Sequence, residues 1–213
     1  MRQLAWPPGN AILFAGRTDA GVHASGQMIA FDLDWNHSED DLCRALNSIL
    51  PQDVSIKGVE QTGADFHPRF HALARRYQYR IYCCTPRDPL KDRYAWRVWP
   101  PLDFERLQIG SKELVGIHDF AAFGSPHKPS GSTIREIMQA SWKLEDNDYF
   151  FEVLGNAFLY HMVRHIVELL VVIGQGREHI DAVRQYLQDP AGSPVQGLAP
   201  AQGLILKEVL YDK

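Results

Sequence analysis

The chain has 213 residues, 45% of them hydrophobic and 23% charged, with a formal net charge of -4. That composition supplies one large buried core or two small ones and excludes a disordered or low-complexity chain. The mild negative balance counts against a strongly basic nucleic-acid binder, although binding depends on where the cations sit.

Cys43, Cys83 and Cys84 are odd in number and lack metal-ligand spacing. Neighbours on a strand point to opposite faces, so Cys83 and Cys84 are poor disulfide partners, and three free thiols in a reducing cytoplasm are expected. Met1 to Gly9 contain no apolar core of a signal peptide. The most hydrophobic stretch, Ala157 to Ile173, is interrupted by His161, Arg164, His165 and Glu168 and is too short to cross a bilayer. No membrane association is expected.

In chain order, Ile12, Leu13 and Phe14 predict a strand, and Ile29, Phe31, Leu33 and Trp35 alternate with Ala30, Asp32 and Asp34 as a second. Between them lies the polar loop Gly16-Arg17-Thr18-Asp19-Ala20-Gly21, in which two glycines allow a sharp turn or a close approach to a ligand. Asp19 fits either a turn-forming residue bonded to its own backbone or a working carboxylate. Ser38 followed by Glu39, Asp40 and Asp41 predicts a capped helix start, with Leu42, Ala45, Leu46 and Ile49 at helical spacing and Pro51 past its end. Val54, Ile56 and Val59 suggest a further strand. The irregular segment Asp65 to Ala72 marks a boundary near residue 70, giving an N-terminal half of residues 1–70 and a C-terminal half of residues 71–213.

The second half opens with a strand over Ala74 to Tyr82, with Tyr77, Tyr79 and Ile81 on one face, and a polar loop from Thr85 to Asp92. Asp103 is placed to cap a helix that uses Phe104, Leu107 and Leu114. His118 to Gly124 and the run to Ser132 read as a mobile or ligand-facing loop. Ile134 to Leu144 and Tyr149 to Leu154 read as a hairpin turning at Glu145 to Asp148. Leu159, Met162, Val163, Ile166, Leu169, Leu170 and Ile173 mark the longest helix. A shorter helix over Ile180 to Leu187 and a closing strand over Leu204 to Leu210 complete an α+β chain built on antiparallel sheet.

Three constellations carry chemistry. His161 and His165 share a helix face, but the catalytic-zinc pattern needs a glutamate where Met162 stands and a third ligand is lacking, so no metal is expected. Arg69, Arg75, Arg76, Arg80, Arg87, Lys91, Arg93 and Arg97 interleave with Phe66, Phe70, Tyr77, Tyr79, Tyr82, Tyr94 and Trp96. Cations hold phosphates and aromatic faces stack unpaired bases, while the same residues also fit strands with solvated outer faces. Arg164, among apolar helix residues, either pairs with a carboxylate such as Asp19 or reaches out to the surface.

Gly16-Arg17-Thr18-Asp19-Ala20-Gly21-Val22-His23, Phe66-His67-Pro68-Arg69-Phe70 with Ala74-Arg75-Arg76-Tyr77-Gln78-Tyr79, Asn156-Ala157-Phe158-Leu159-Tyr160-His161-Met162-Val163-Arg164, and Ala199-Pro200-Ala201-Gln202-Gly203-Leu204 together resemble the TruA-type tRNA pseudouridine synthases. The resemblance covers essentially the whole chain. It implies a pseudouridine synthase fold, with two ferredoxin-like (RRM-like) α+β halves around a largely antiparallel sheet. It implies isomerisation of uridine to pseudouridine at positions 38–40 of the tRNA anticodon stem-loop, by a cytoplasmic homodimer that uses no cofactor. Asp19 is implied as the catalytic aspartate, Tyr77 as the aromatic residue against the target base, Arg164 as the cation paired with Asp19, and Arg17 as a substrate contact.

Only about fifteen residues precede Gly16, where the family has a strand and a helix, and Arg2 to Leu4 match at most the tail of that helix. On this reading the N-terminal half lacks its first strand and most of its first helix. The expectations that follow are pairing with another copy and reduced activity. A catalytically impaired tRNA-binding remnant is therefore the alternative to the isomerase, with a hydrolase using Asp19 and His23 a distant third.

Overall fold

The structure is a computed structural model that describes residues 9–128 and 130–212, so the expected helix tail at Arg2 to Leu4 lies outside the described residues. In chain order it contains β1 (Leu13–Phe14), β2 (His23–Ala24), β3 (Ile29–Ala30), α1 (Glu39–Ile49), β4 (Ala74–Tyr82), β5 (Trp96–Arg97), α2 (Phe104–Lys112), β6 (Gly116–Asp119), β7 (Ile134–Glu145), β8 (Asp148–Gly155), α3 (Met162–Gly174), α4 (Ala182–Gln188) and β9 (Leu204–Leu210). Two compact units result: residues up to Gly16 with Met28–His71, and Arg17–Gln27 with Ala72 onward. The loop carrying Asp19, placed by the sequence reading in the N-terminal half, thus groups with the second unit.

In the first unit β1 and β3 pair antiparallel over two residues each, Leu13 with Ala30 and Phe14 with Ile29. The expected strand to Trp35 stops there, although its alternation persists: Phe31, Leu33 and Trp35 are half-buried while Asp32 and Asp34 are exposed. Helix α1 starts as its sequence dictates, with Ser38 Oγ accepting from the Asp41 amide and three acids in the first turn. Leu42 and Leu46 form its buried stripe. The expected strand at Val54 to Val59 does not form. Asn47 explains this, because its side chain accepts from the Ile56 amide at 2.7 Å and donates to the Ile56 carbonyl at 2.9 Å. One side chain thereby satisfies the two backbone groups a strand neighbour would have paired.

The second unit is built on a seven-stranded sheet in the order β2-β9-β4-β8-β7-β6, with β5 also on β4. The β2–β9 and β4–β5 pairs are parallel and the others antiparallel, as expected of a largely antiparallel pseudouridine synthase sheet. Strand β4 is central, running against β8 from Arg75 to Tyr82 and against β9 from Ala74 to Tyr79. Its pleat buries Tyr79 and Ile81 completely. Helix α3 is apolar nearly all round and buried accordingly, with Ile166, Val167, Leu170 and Ile173 at or near zero exposure.

Helix α2 packs on α3, where Gly110 and Gly174 let the two approach: a Cβ on either would stand about 3 Å from Leu170 or Leu107. Arg106 on α2 donates to the Ile173 carbonyl at 2.9 Å, supplying the cation that the last turn of α3 lacks. The segment expected as a loop at His118 to Gly124 is instead β6 followed by a 3-10 turn at Ala121–Phe123, with Phe120 and Phe123 fully buried. Burial of two aromatics outweighed the polar look of its flanks.

Candidate active site

The Asp19 loop is shaped by its own backbone and moored to β9. Gly21 takes φ +83, the left-handed region glycine enters freely, and the Val22 amide donates to the Asp19 carbonyl at 3.1 Å. The turn therefore uses the backbone of Asp19, which leaves its carboxylate available. Downstream, β2 lies parallel to β9, with His23 opposite Ile205 and Ala24 opposite Leu206, and the amides of Ser25 and Gly26 both donate to the Leu206 carbonyl. A Cβ on Gly26 would stand 2.1 Å from the Lys207 carbonyl oxygen, so only glycine permits this approach.

Arg164 comes from the first turn of α3. No acid occupies that turn, and an arginine there sits poorly against the positive end of the helix dipole. The Asp19 carboxylate supplies the missing anion: Arg164 Nη1 donates to Asp19 Oδ2 at 2.7 Å, and Arg164 Nε donates to the Ala199 carbonyl at 2.7 Å. The two side chains are 12% and 21% exposed. The expected pairing is present in the structure, and Arg164 does not reach out to the surface.

Tyr77 projects from β4 into the same pocket, which Arg17, Thr18, Asp19 and Phe158 also line. Its ring meets Phe158 edge-on at 5.2 Å, and among the described residues its hydroxyl has no hydrogen-bond partner. Burial pushes the phenol up to about 12, with the Arg75 charge pulling it down and Asp19 pushing it further up. Two residues along, Tyr79 donates its hydroxyl to the Pro200 carbonyl at 2.7 Å, and Gly203 lies against its ring. Tyr79 thus fixes the segment that carries the Ala199 carbonyl. A wider depression lined by Gln78, Ser141, Lys143 and Glu152 holds the solvated side chains of the strands, as alternation along β4 dictates.

His161, weighed and set aside as a metal ligand on its sequence spacing and otherwise carried in the Asn156–Arg164 motif without a role, has its Nε2 3.3 Å from Asp19 Oδ2. Its spacing of three from Arg164 on a helix start was the available signal. His165 faces elsewhere, with Nδ1 2.8 Å from the Gly197 carbonyl, and burial lowers its pKa despite that bond. Among the described residues no group of three His, Cys, Asp or Glu side chains is placed to hold a metal.

Most of the interleaved arginines serve the fold. Arg75 is buried and donates to the Asn156 carbonyl at 2.7 Å. Arg76 pairs with Glu208, Arg80 and Lys91 converge on Asp148, and Arg87 pairs with Asp92. Arg97 donates to the carbonyls of Cys84 and Thr85. Arg17 and Arg93 are exposed and, among the described residues, carry no ion-pair partner. No helix of the described residues is long and apolar enough to cross a membrane.

A model of a family described as tRNA pseudouridine synthase matches residues 111–212. Over 200 residues the chain is 41% identical to tRNA pseudouridine synthase A of Limosilactobacillus fermentum, covering 93% of this chain and 78% of that protein. It is 39% identical to tRNA pseudouridine synthase A of Lactiplantibacillus plantarum, covering 93% and 77%, and 38% identical to that of a Geobacillus species, covering 93% and 80%.

Proposed function

The chain belongs to the tRNA pseudouridine synthase family, isomerases acting on tRNA, and from that premise we propose that it converts uridine to pseudouridine at positions 38–40 of the anticodon stem-loop. The observation that carries the reading is the Asp19 carboxylate, held by Arg164 in a pocket shared with Tyr77 and Arg17. The reaction breaks the N1–C1′ bond, turns the freed base and rejoins it through C5. The nucleotide must first leave the stack. Arg17, exposed at the pocket, holds the displaced nucleotide, and the Tyr77 ring packs on its base.

Asp19 acts as nucleophile at C1′ or as base toward a sugar proton, and either role needs it aimed, which the hydrogen bond from Arg164 provides. The reaction needs no cofactor, because the base leaves and returns at one oxidation level. The working form is a cytoplasmic homodimer, with tRNA as its partner.

Release of tritium from [5-³H]uridine-labelled tRNA tests this reading, since only isomerisation replaces the hydrogen at C5. Transcripts keeping a single uridine at one of the three positions locate the target. Binding without release would identify the tRNA-binding remnant instead, and release from uridines elsewhere in the tRNA would refute the position. Sedimentation of the protein with and without tRNA reads the dimer.

A further inference from the structure

We infer that His161 is a positioning residue for Asp19: with Arg164 it clamps Oδ2 of the carboxylate, so that Oδ1 is the oxygen presented to substrate. This rests on the reading of Asp19 as the reacting carboxylate. Both neighbours of the carboxylate converge on Oδ2, Arg164 Nη1 at 2.7 Å and His161 Nε2 at 3.3 Å, and among the described residues Oδ1 has no partner. A carboxylate held at one oxygen by one donor still swings about its Cβ–Cγ bond. A second group on the same oxygen, from another direction, narrows that swing.

Three further features aim the His161 ring. Its backbone is left-handed at φ +66, a conformation that residues with a side chain seldom adopt and that clusters at working sites. The chain just before it is pinned, with the Tyr160 amide donating to the Ser125 carbonyl at 3.0 Å and the Tyr160 carbonyl passing so close to Gly124 that a Cβ there would stand at 2.5 Å. Tyr160, itself exposed, stacks on the imidazole at 3.6 Å between centroids and 26° between planes.

The competing role, a helix cap, does not fit. His161 occupies the N-cap position of α3 yet makes no side-chain bond to the helix. Among the described residues, the other charged or titratable side chains beside it are Tyr160, stacked on the ring, Arg164, already on Asp19, and His165, whose ring centroid is 6.1 Å away and whose Nδ1 is on Gly197. Asp19 is therefore what the imidazole nitrogen faces.

The test is a pair of substitutions that separate ring from donor, measured by single-turnover tritium release and by tRNA affinity. His161→Phe keeps a ring for Tyr160 and removes the nitrogen; it should slow the chemical step roughly 10- to 100-fold, the scale of a misplaced reacting group, with tRNA affinity unchanged. His161→Gln loses the ring but keeps an N–H donor, and should recover part of that rate.

A His161→Phe protein as fast as wild type overturns the inference, and so does a His161→Gln protein slower than His161→Phe, which would make the ring the working part. Imidazole ¹⁵N shifts of the unsubstituted residue give a measurement that does not depend on either variant folding. The Nε2–H form should dominate and lose share in Asp19→Ala, and an unchanged spectrum would overturn the clamp. If Asp19→Ala itself isomerises uridine, the underlying reading of Asp19 has failed rather than the role of His161.

Discussion

Arg164 reaches Asp19 with one end of its guanidinium and the Ala199 carbonyl with the other, both at 2.7 Å. One planar group thus ties the Asp19 loop to the segment before β9. Removing one member of such a shielded pair leaves a charge without compensation. Arg164→Met should therefore lose activity and roughly 2–3 kcal/mol of stability. Replacing both members, Asp19→Leu with Arg164→Met, should recover most of the stability and none of the activity. Denaturant titration beside tritium release checks both; a double variant as unstable as the single one would mean that the pair matters through its shape rather than its charge.

Asp19→Asn keeps the size of the side chain and removes the ionised group. It should abolish pseudouridine formation while tRNA affinity stays within a few-fold of wild type, because phosphate contacts dominate affinity. Filter binding and tritium release on one preparation give both numbers. Turnover near the wild-type rate would remove Asp19 from the chemistry.

With its phenol pushed up to about 12 by burial, Tyr77 stays protonated through the neutral and mildly alkaline range. The sign follows: the neutral form is favoured in the folded protein, so the hydroxyl can donate there but does not act as a base. Tyr77→Phe and wild type should run parallel in a rate–pH profile between about pH 7 and pH 10, below that raised value. Tyr77→Leu removes the ring as well and should cost about 1–3 kcal/mol of substrate stabilisation. An alkaline limb in the wild type that vanishes in Tyr77→Phe would show the hydroxyl titrating inside that range.

Asp148, at the β7–β8 turn, is held by Arg80 Nε at 3.0 Å and Lys91 Nζ at 2.9 Å. Burial pushes its pKa up, but the hydrogen bonds from Arg80 and Lys91 outweigh that, and the net direction is below the ordinary 3.8. A carboxylate whose pKa is depressed on folding stabilises the fold above its unfolded value, and that stabilisation is lost as pH falls through the folded one. Asp148→Asn should therefore cost roughly 2 kcal/mol at neutral pH, and the gap to wild type should close in strong acid. Denaturation midpoints across that range read the effect; a gap independent of pH would assign it to packing.

Periodicity over a long stretch was what made elements legible. β4 and β9 begin and end at the residues expected, α1 carries its cap and acids in sequence, and the β7–β8 hairpin turns at Glu145 to Asp148. The two-residue β2 and the four-residue β6 have no period to display, and both owe their existence to partners distant in sequence. Val54 to Val59 has the composition of a strand and loses to one asparagine side chain. At the candidate site, the motif residues Arg17, Asp19 and Tyr77 and the half-buried Arg164 do line one pocket. Composition alone could not assign the arginines of β4 and its neighbours, since a guanidinium looks the same whether it awaits phosphate or already faces Glu208 or Asp148. His161 hid behind its spacing to His165, which suggested a different chemistry.

The close fit of Gly26 on β9 joins an early segment of the chain to its last described strand. Asp19 leaves the ribosome 145 residues ahead of Arg164, and the strand its loop lies on is made later still. At about 5–20 residues per second, the carboxylate waits roughly 7–30 s for its guanidinium. Nascent chains that have not yet emerged through Leu206 therefore carry the aspartate without the pocket. The Asp19 loop therefore has its partner strand only when β9, the last strand of the described residues, has been made.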